Sequence, residues 1–283
     1  MTPRSRRIAA NRLEHHLLEW GDRGPLVLLL HGFLEHAHAW DWVAPRVAAA
    51  GHRVLALDWR GHGDSQWVGA GGYYHFADYV ADLAGIVRQL DEPAALVAHS
   101  MGGNAAILFA GTEPARVSAL VAVEGLGPFD ADPEHTPERY AAWIDDLQRQ
   151  PARPRAPFTL AAASDRLRQR YPRLSPEALA LLAEHGTRAV DGGRQWKFDP
   201  LHQTRSPQPF YTAQARPFWR RVTCPVLYID GGDSTLRLPE PELQERLTLL
   251  RATRATIAGA AHHPHLEQPE ALASVLIRFL APL

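Results

Sequence analysis

The chain has little cysteine: Cys224 is the single one among 283 residues. One cysteine excludes an intrachain disulfide framework and is typical of a reducing compartment, so we expect a cytoplasmic protein. Cys224 precedes a proline and an apolar run, and nothing near it in the sequence would lower its pKa. We therefore expect a packed side chain at Cys224 rather than a nucleophile.

The chain also lacks an excess of either charge, with 30 lysines and arginines against 31 aspartates and glutamates. No basic stripe or acidic tail indicates nucleic acid or a membrane surface as a partner. The longest apolar run, Leu26 to Leu30, is far too short to span a bilayer, and no apolar signal segment follows the basic start. The length suits one large α/β domain with an insertion, or two modest domains. The sequence does not indicate the oligomeric state.

Short apolar runs alternate with helical patterns and turn signals, which is typical of a mostly parallel sheet with crossover helices. An antiparallel pair is expected over Arg7–Trp20. Further strands are predicted over Pro25–His31, Val54–Asp58, Ala94–His99, Val117–Glu124, Pro225–Asp230 and Ala255–Ala258. Helices are predicted over Trp42–Ala50, Phe76–Leu90, Met101–Thr112 and Pro269–Leu280.

The strand pattern stops between Gly125 and Trp219. Helix starts become explicit there, as in Ser175-Pro176-Glu177, where a hydroxyl N-cap precedes proline at the first helical position. Asp191-Gly192-Gly193 predicts a tight turn between two short extended segments. We expect residues 1–125 and 218–283 to form the core and residues 126–217 a mainly helical cap inserted into it. The alternative is a second domain unrelated to the site.

One apolar strand ends in His99-Ser100-Met101-Gly102-Gly103 and leads directly into a helix. Serine is a poor nucleophile unless it is exposed, lies beside a base and faces donors that can hold an oxyanion. A sharp strand–turn–helix elbow supplies the exposure, and the small residues Ala98 and Gly102 permit such a turn. The alternative is that Ser100 caps an ordinary helix, and this stretch alone does not decide between the two.

Four motifs, each at the end of a predicted strand, together resemble the α/β-hydrolase superfamily. They are His31-Gly32, the segment Asp58-Trp59-Arg60-Gly61-His62-Gly63-Asp64-Ser65, the Ser100 elbow, and Gly259-Ala260-Ala261-His262. The resemblance implies an α/β-hydrolase fold, with a mostly parallel central sheet, helices on both faces and an inserted, mainly helical cap. It also implies Ser100 as the nucleophile and His262 as its general base.

The same resemblance assigns supporting roles. The main-chain N–H groups of Phe33 and Met101 would form the oxyanion hole. His31 is expected to hold its loop by hydrogen bonds, and Arg60 and Asp64 to form a salt-bridged turn.

Several histidines crowd the end of the chain and raise the alternative of a metal site. His263 and His265 stand beside His262, and His36 and His38 could join them. Zinc would want carboxylate or thiolate ligands as well, and the usual Asp-His partner of such a run is missing. We therefore expect His263 and His265 to be solvated or to pack against the last helix, and we expect no metal and no cofactor.

The acid of the triad has two candidates. Most members of the superfamily carry it three residues after the glycine that ends the strand before the histidine strand, but here that position is Ser234, and Asp233 is one place short. A second arrangement in the superfamily places the acid at the end of the strand after the nucleophile helix, where Glu124 closes an apolar strand. We favour Glu124, because a carboxylate there needs a partner such as protonated His262, and we keep Asp233 as the alternative.

Two segments of the cap resemble one branch, the serine hydrolase-like proteins: Arg173-Leu174-Ser175-Pro176-Glu177 and Trp196-Lys197-Phe198-Asp199-Pro200. That branch also carries its acid after the earlier strand. Haloalkane dehalogenases share this placement and epoxide hydrolases share the core, but both use an aspartate nucleophile, so Ser100 argues against them.

The expected function is hydrolysis of an ester-like bond in a small or medium, largely apolar small-molecule substrate through an acyl-enzyme, as in a carboxylesterase. Large apolar residues of the cap would line the pocket or form the cap's own core: Trp143, Phe158, Trp196, Phe198, Phe210 and Trp219. Lactone, thioester or carbon–carbon bonds would be cleaved by the same groups. The competing class is a slow or ligand-sensing protein on the same scaffold.

Overall fold

The computed structural model describes residues 1–149 and 156–282. Over these residues the strands are β1 Arg4–Ala10, β2 Leu13–Trp20, β3 Leu26–Leu30, β4 Arg53–Leu57, β5 Ala94–His99, β6 Val117–Val123, β7 Thr187–Val190, β8 Gly193–Trp196, β9 Val226–Gly231 and β10 Thr253–Ile257. The α-helices are α1 Ala44–Ala49, α2 Phe76–Val87, α3 Met101–Thr112, α4 Thr136–Arg149, α5 Leu160–Arg170, α6 Pro176–Gly186, α7 Thr212–Arg221, α8 Glu240–Leu250, α9 Pro264–Glu267 and α10 Pro269–Leu280.

Eight of these strands form one sheet in the order β1-β2-β4-β3-β5-β6-β9-β10. Strand β2 pairs antiparallel with β1 and β4, and all other neighbours are parallel. The chain order reverses direction between β3 and β5, so the loops after these two strands diverge and leave a crevice at the carboxyl edge of the sheet. Ligands of open α/β sheets bind at such a crevice, and the motif loops begin there.

Helices cover both faces of the sheet, as its apolar strands require. Successive residues of β3 point to opposite faces: Leu28 and Leu30 belong to one buried cluster, and Val27 and Leu29 belong to the other. Helices α2, α3, α7 and α8 contribute to the first cluster, and α1 and α10 contribute to the second. The predicted fold class is therefore confirmed in both its sheet and its two helical layers.

The chain between β6 and β9 carries α4 to α7 and a small hairpin of β7 and β8. The pairing of Val190 with Gly193 closes a two-residue turn at Asp191 and Gly192, and Gly192 has φ +82° as such turns demand. Ser175 caps α6 by accepting a hydrogen bond from the N–H of Ala178 at 3.2 Å, as its sequence predicts. Residues 150–155 of the predicted cap lie outside the described residues, and its boundaries stay a prediction.

Two differences from the predicted elements concern the end of the chain. Helix α8 was not predicted, although Leu243, Leu247 and Leu250 recur at helical spacing and are buried. Strand β10 begins at Thr253, two residues before the predicted start. Its first two residues, Thr253 and Arg254, are polar and exposed, so the apolar pattern in the sequence starts only at Ala255. No helix in the described part of the chain is long and apolar enough to cross a bilayer.

Candidate active site

Ser100 lies in the sharp turn between β5 and α3, with φ +48° and ψ −112°. Such a backbone conformation is strained for a residue with a side chain and pushes Oγ out of the sheet edge. The two glycines that follow allow a close approach. A Cβ on Gly102 would lie 2.7 Å from the carbonyl oxygen of His31, and one on Gly103 would lie 2.7 Å from that of Gly125. The elbow predicted from the sequence is therefore present.

The structure brings the imidazole of His262 to this elbow from the loop after β10. Its Nε2 lies 3.1 Å from Ser100 Oγ, and its Nδ1 lies 3.1 Å from Glu124 Oε2. Hydroxyl, imidazole and carboxylate thus form one continuous hydrogen-bonded line at the carboxyl edge of the sheet. Such a line can move a proton from the hydroxyl to the ring while the carboxylate holds the ring.

Glu124 ends β6 in a left-handed conformation, with φ +52°, and its carboxylate is buried. Besides the imidazole, Oε1 accepts a hydrogen bond from the N–H of Gly231 at 2.7 Å, and Oε2 accepts one from Ser234 Oγ at 2.9 Å. Ser234 stands where most members of the superfamily carry their acid, and here it donates to the carboxylate instead. Sequence reasoning missed this contact because it depends on the pairing of β6 with β9.

Asp233, the alternative acid, is engaged elsewhere. Its carboxylate is half exposed and pairs with Nη2 of Arg173 at 2.8 Å. The structure therefore joins Glu124, rather than Asp233, to the imidazole of His262.

Phe33 and Met101 both line the cleft beside Ser100. Met101 is the first residue of α3, where main-chain N–H groups have no partner within the helix. Neither the N–H of Phe33 nor that of Met101 donates to another described residue. Both groups are thus free to receive an oxyanion.

His31 holds the loop that carries Phe33 by hydrogen bonds, as expected from the sequence. His31 Nδ1 donates to the carbonyl of Gly32 at 2.7 Å, and Nε2 accepts from the N–H of Trp59 at 3.1 Å. Burial lowers the pKa of His31, so the ring is neutral and can accept at Nε2.

The segment after β4 braces the same region, but its ion pairs differ from the prediction. Arg60 was expected to form a salt-bridged turn with Asp64. It instead makes a two-pronged pair with buried Asp82 on α2, and Asp64 pairs with Lys197 at 2.7 Å. The expectation of a locally bridged turn is wrong, because each charge finds a partner on another element. Asp58 fixes the turn itself by accepting from the N–H groups of Ala37 and Asp64.

A further buried carboxylate, Glu35, was not predicted and lies directly behind the site. It accepts a hydrogen bond from the N–H of Gly32 at 2.9 Å and pairs with His99 Nδ1 at 3.0 Å. His99 in turn donates from Nε2 to the carbonyl of His262 at 2.7 Å. The available signal was a histidine immediately before Ser100 and a lone acid in the loop after β3.

Charge explains this buried group. Burial alone would raise the pKa of Glu35, but the charge of His99 holds it well below its ordinary value. Glu35 conversely raises the pKa of His99, although burial alone would lower it. Glu35 and His99 therefore form an ion pair, and the protonated ring has the two N–H groups that its contacts need.

His263 and His265 stay neutral beside this pair. Burial lowers the pKa of His263 to about 2 and that of His265 to about 4. His265 Nε2 faces Glu35 at 3.3 Å, and the ring of His263 packs against Tyr171. His265 is thus buried and His263 partly buried, and their packing against α10 stays a prediction.

Metal-ligating side chains do come together in the described residues. Donor atoms within 4.8 Å of one another occur in four groups: His99, His262 and His263; Glu35, His99 and His265; His38, Asp41 and His185; and His16, Asp58 and Asp64. In the first two groups, Glu35, His99 and His262 already take part in the contacts described above. His36, which was considered for a metal site, instead faces the carbonyl of Leu182 at 3.2 Å.

The comparisons with known proteins agree with this geometry. The model of the alpha/beta hydrolase family matches residues 27–275. The chain belongs to the alpha/beta hydrolase family. The match spans both the core strands and the inserted segment, so the recognition made from the four motifs is confirmed.

Individual relatives cover nearly the whole chain of this alpha/beta hydrolase. It is 29% identical to a serine hydrolase-like protein of Danio rerio, over 93% of this chain and 84% of the relative. It is 28% identical to the 2-(acetamidomethylene)succinate hydrolase of Mesorhizobium japonicum, over 98% of this chain and 95% of the relative. Among solved structures, a thioesterase domain from the curacin biosynthetic pathway superposes with a TM-score of 0.87 at 29% identity. The superposition covers 98% of this chain and 100% of that domain.

The alpha/beta hydrolase has a cleft of about 1450 Å³ that opens beside Ser100. Aromatic and apolar side chains dominate its lining, and Phe129 and Phe218 remain partly exposed within it. Of the six cap aromatics singled out from the sequence, Phe210 and Trp219 line the cleft. Phe158, Trp196 and Phe198 instead contact one another within the inserted segment, with their side chains partly buried.

Proposed function

We propose that the protein is a serine hydrolase that cleaves an ester-like bond of a small or medium, largely apolar substrate. The observation that carries this proposal is the line of 3.1 Å contacts from Ser100 Oγ through His262 to Glu124. A surface or capping serine has no need of an imidazole held by a buried carboxylate. The free N–H groups beside Ser100 support the same reaction.

In the first half-reaction Ser100 Oγ attacks the substrate carbonyl carbon while His262 Nε2 takes the hydroxyl proton. Glu124 holds the resulting imidazolium at Nδ1, and its remaining lone pairs are occupied by Gly231 and Ser234. The N–H groups of Phe33 and Met101 stabilise the oxyanion, and each such donor is worth about 3 kcal/mol. The tetrahedral intermediate then collapses, and His262 protonates the departing alcohol.

The second half-reaction repeats these steps with water. His262 takes a proton from water, the hydroxide attacks the acyl carbon, and Ser100 leaves with the proton that His262 returns. The product acid and the free enzyme result.

The cleft supports an apolar substrate, because a site lined by aromatic side chains gains most from removing apolar surface from water. The names of the relatives include a thioesterase, so thioesters are a second substrate class that the same groups could cleave. The mainly apolar, uncharged lining suits an apolar acyl group in either class, and carboxylic esters remain the proposal.

The test is steady-state hydrolysis of p-nitrophenyl acetate, butyrate and octanoate by the wild type and by Ser100→Ala. Ser274→Ala on the exposed face of α10 is the matched control. We expect Ser100→Ala to fall at least about 10³-fold in kcat/KM and Ser274→Ala to match the wild type. Equal rates for the wild type and Ser100→Ala would instead favour a ligand-sensing protein.

A further inference from the structure

Arg173 links the inserted segment to the loop that carries His262. It lies between α5 and α6, and its guanidinium reaches across to the core. Its Nε donates to Glu267 Oε2 at 2.9 Å, and its Nη2 donates to Asp233 Oδ2 at 2.8 Å and to the carbonyl of Gly259 at 3.0 Å. One side chain thus contacts the segment before His262, the helix after it, and the loop after β9.

Glu267 carries the effect of Arg173 to the backbone of His262. Its carboxylate is 5% exposed. Oε2 accepts from the N–H of Ala261 at 2.9 Å, and Oε1 accepts from the N–H of His263 at 3.2 Å. The residues on both sides of His262 are therefore tied to one carboxylate, and Arg173 is the cation that faces it.

The main chain of His262 is also held from the core side, by His99. Its carbonyl accepts the hydrogen bond from His99. The histidine loop is consequently held by the core through His99 and by the inserted segment through Arg173 and Glu267. Of these two supports, only the second depends on a partly exposed residue that can be replaced without opening the core.

We propose that Arg173 is a positioning residue, through which the inserted segment holds the His262 loop in line with Ser100. The inference rests on the proposed function. A displacement of about 1 Å in a catalytic group can lower a rate about 10²-fold. The Arg173 side chain is 46% exposed, so water screens this pair, and Glu267 keeps the N–H groups of Ala261 and His263 when Arg173 is replaced. The loss of Arg173 should therefore affect turnover far more than unfolding.

The variant that tests this is Arg173→Met, which keeps the length of the side chain and removes the charge and donors. Arg168→Met is the matched control, because Arg168 is an exposed arginine on α5 paired with Asp165. We expect Arg173→Met to lower kcat at least about tenfold, with KM changed less than about twofold and Tm by less than about 2 °C. Arg173→Lys should recover part of the loss, because it restores the charge without the fork.

A double-mutant cycle locates the effect. Glu267→Gln keeps an acceptor for the N–H of Ala261 but loses the ion pair. In the Glu267→Gln background, Arg173→Met should lower kcat by less than about threefold, because the two side chains act through one contact. Amide hydrogen exchange over residues 259–267 should be faster in Arg173→Met than in Arg168→Met.

The outcomes separate this inference from the proposed function. A wild type with Ser100-dependent turnover and an Arg173→Met variant with unchanged kcat and unchanged exchange would overturn the inference alone. Full independence of the two substitutions in the cycle would also overturn it. A wild type without Ser100-dependent turnover would overturn both proposals.

Discussion

Ser100 and Glu124 share an unusual backbone: φ is +48° at one and +52° at the other. They end neighbouring parallel strands, and each is pinned by a main-chain hydrogen bond to the next strand. Ser100 N–H donates to Val123 at 2.9 Å, and Glu124 N–H donates to Ile229 at 2.8 Å. Left-handed conformations of residues with side chains cost about 1–3 kcal/mol and persist where the surroundings impose them. The sheet thus imposes on both residues the conformation that turns their side chains towards His262.

The choice of acid is tested by Glu124→Gln against Asp233→Asn. An amide whose N–H₂ group faces His262 cannot accept the hydrogen bond from Nδ1–H. The neutral ring then carries its proton on Nε2, which is the wrong tautomer for a base that faces Ser100. We expect Glu124→Gln to lower kcat about 10³- to 10⁴-fold on p-nitrophenyl butyrate, and Asp233→Asn to retain at least about a tenth of it.

The contrary result would be near-complete loss of turnover in Asp233→Asn with Glu124→Gln active. Circular dichroism of both variants controls for unfolding. Because Asp233 faces Arg173, a small loss in Asp233→Asn is compatible with the account, whereas a loss as large as that of Ser100→Ala is not.

At this scale the sequence predicts well where a motif is local. Ser100 and His262 were found because short motifs mark the ends of their strands, and Glu124 because it closes an apolar strand. The contacts of Ser234, Glu35 and Arg173 could not be predicted, because each joins residues far apart in the chain. Arg60 shows the same limit, since its buried partner lies on α2 rather than in its own turn.

Three elements meet at Glu35: the loop after β3, the end of β5 and the start of α9. The groups that face its carboxylate are the N–H of Gly32, His99, His263 and His265. Burial and, after it, the charge of Glu35 raise the pKa of Tyr171, a residue of the inserted segment. Removing one partner of a buried ion pair costs about 3–5 kcal/mol, because the other charge stays buried.

The stability of this junction should depend on pH. Glu35 has a lowered pKa, so its contribution is present above its ordinary value of 4.5 and is lost as pH falls through the lowered pKa. His99 has a raised pKa, so its contribution is present below its ordinary value of 6.5 and is lost as pH rises through the raised pKa. Glu35→Gln should therefore lower the free energy of unfolding by about 3 kcal/mol between pH 4.5 and 6.5, and by less towards either side.

Urea unfolding of the wild type and Glu35→Gln from pH 4 to pH 9 measures this difference. Glu134→Gln, on an exposed 3-10 turn before α4, is the control and should show no such window. A constant difference over the whole range would mean that Glu35 and His99 are not an ion pair.

Elements with strong patterns were predicted with their neighbours, and the weaker ones were not. The apolar run of β3 and the turn of β7 and β8 are explicit in the sequence. Helix α8 has apolar residues at helical spacing, but it follows Pro239 and several charges that obscure the pattern. Packing against α7 stabilises this helix, although its local sequence gives only a weak helical pattern.

For the whole molecule, the order of strands explains why distant residues meet. The reversal at β3 and β5 places the loop of Phe33 and the Ser100 elbow side by side, and β6, β9 and β10 follow in order along the same edge. The alternation of strands and helices was sufficient to predict a mostly parallel sheet, whereas the order of its strands comes from the structure. The way the inserted segment contacts the histidine loop was not predictable, because it depends on one arginine between two helices.

The central claim is that Ser100 is an activated nucleophile, and covalent labelling tests it most directly. The wild type is treated with a fluorophosphonate, digested and mapped by mass spectrometry. We expect a single adduct on Ser100, no adduct in Ser100→Ala, and labelling at least about 100-fold slower in His262→Gln. An adduct on another residue, or an unmodified wild type under conditions that label a known serine esterase, would contradict the account.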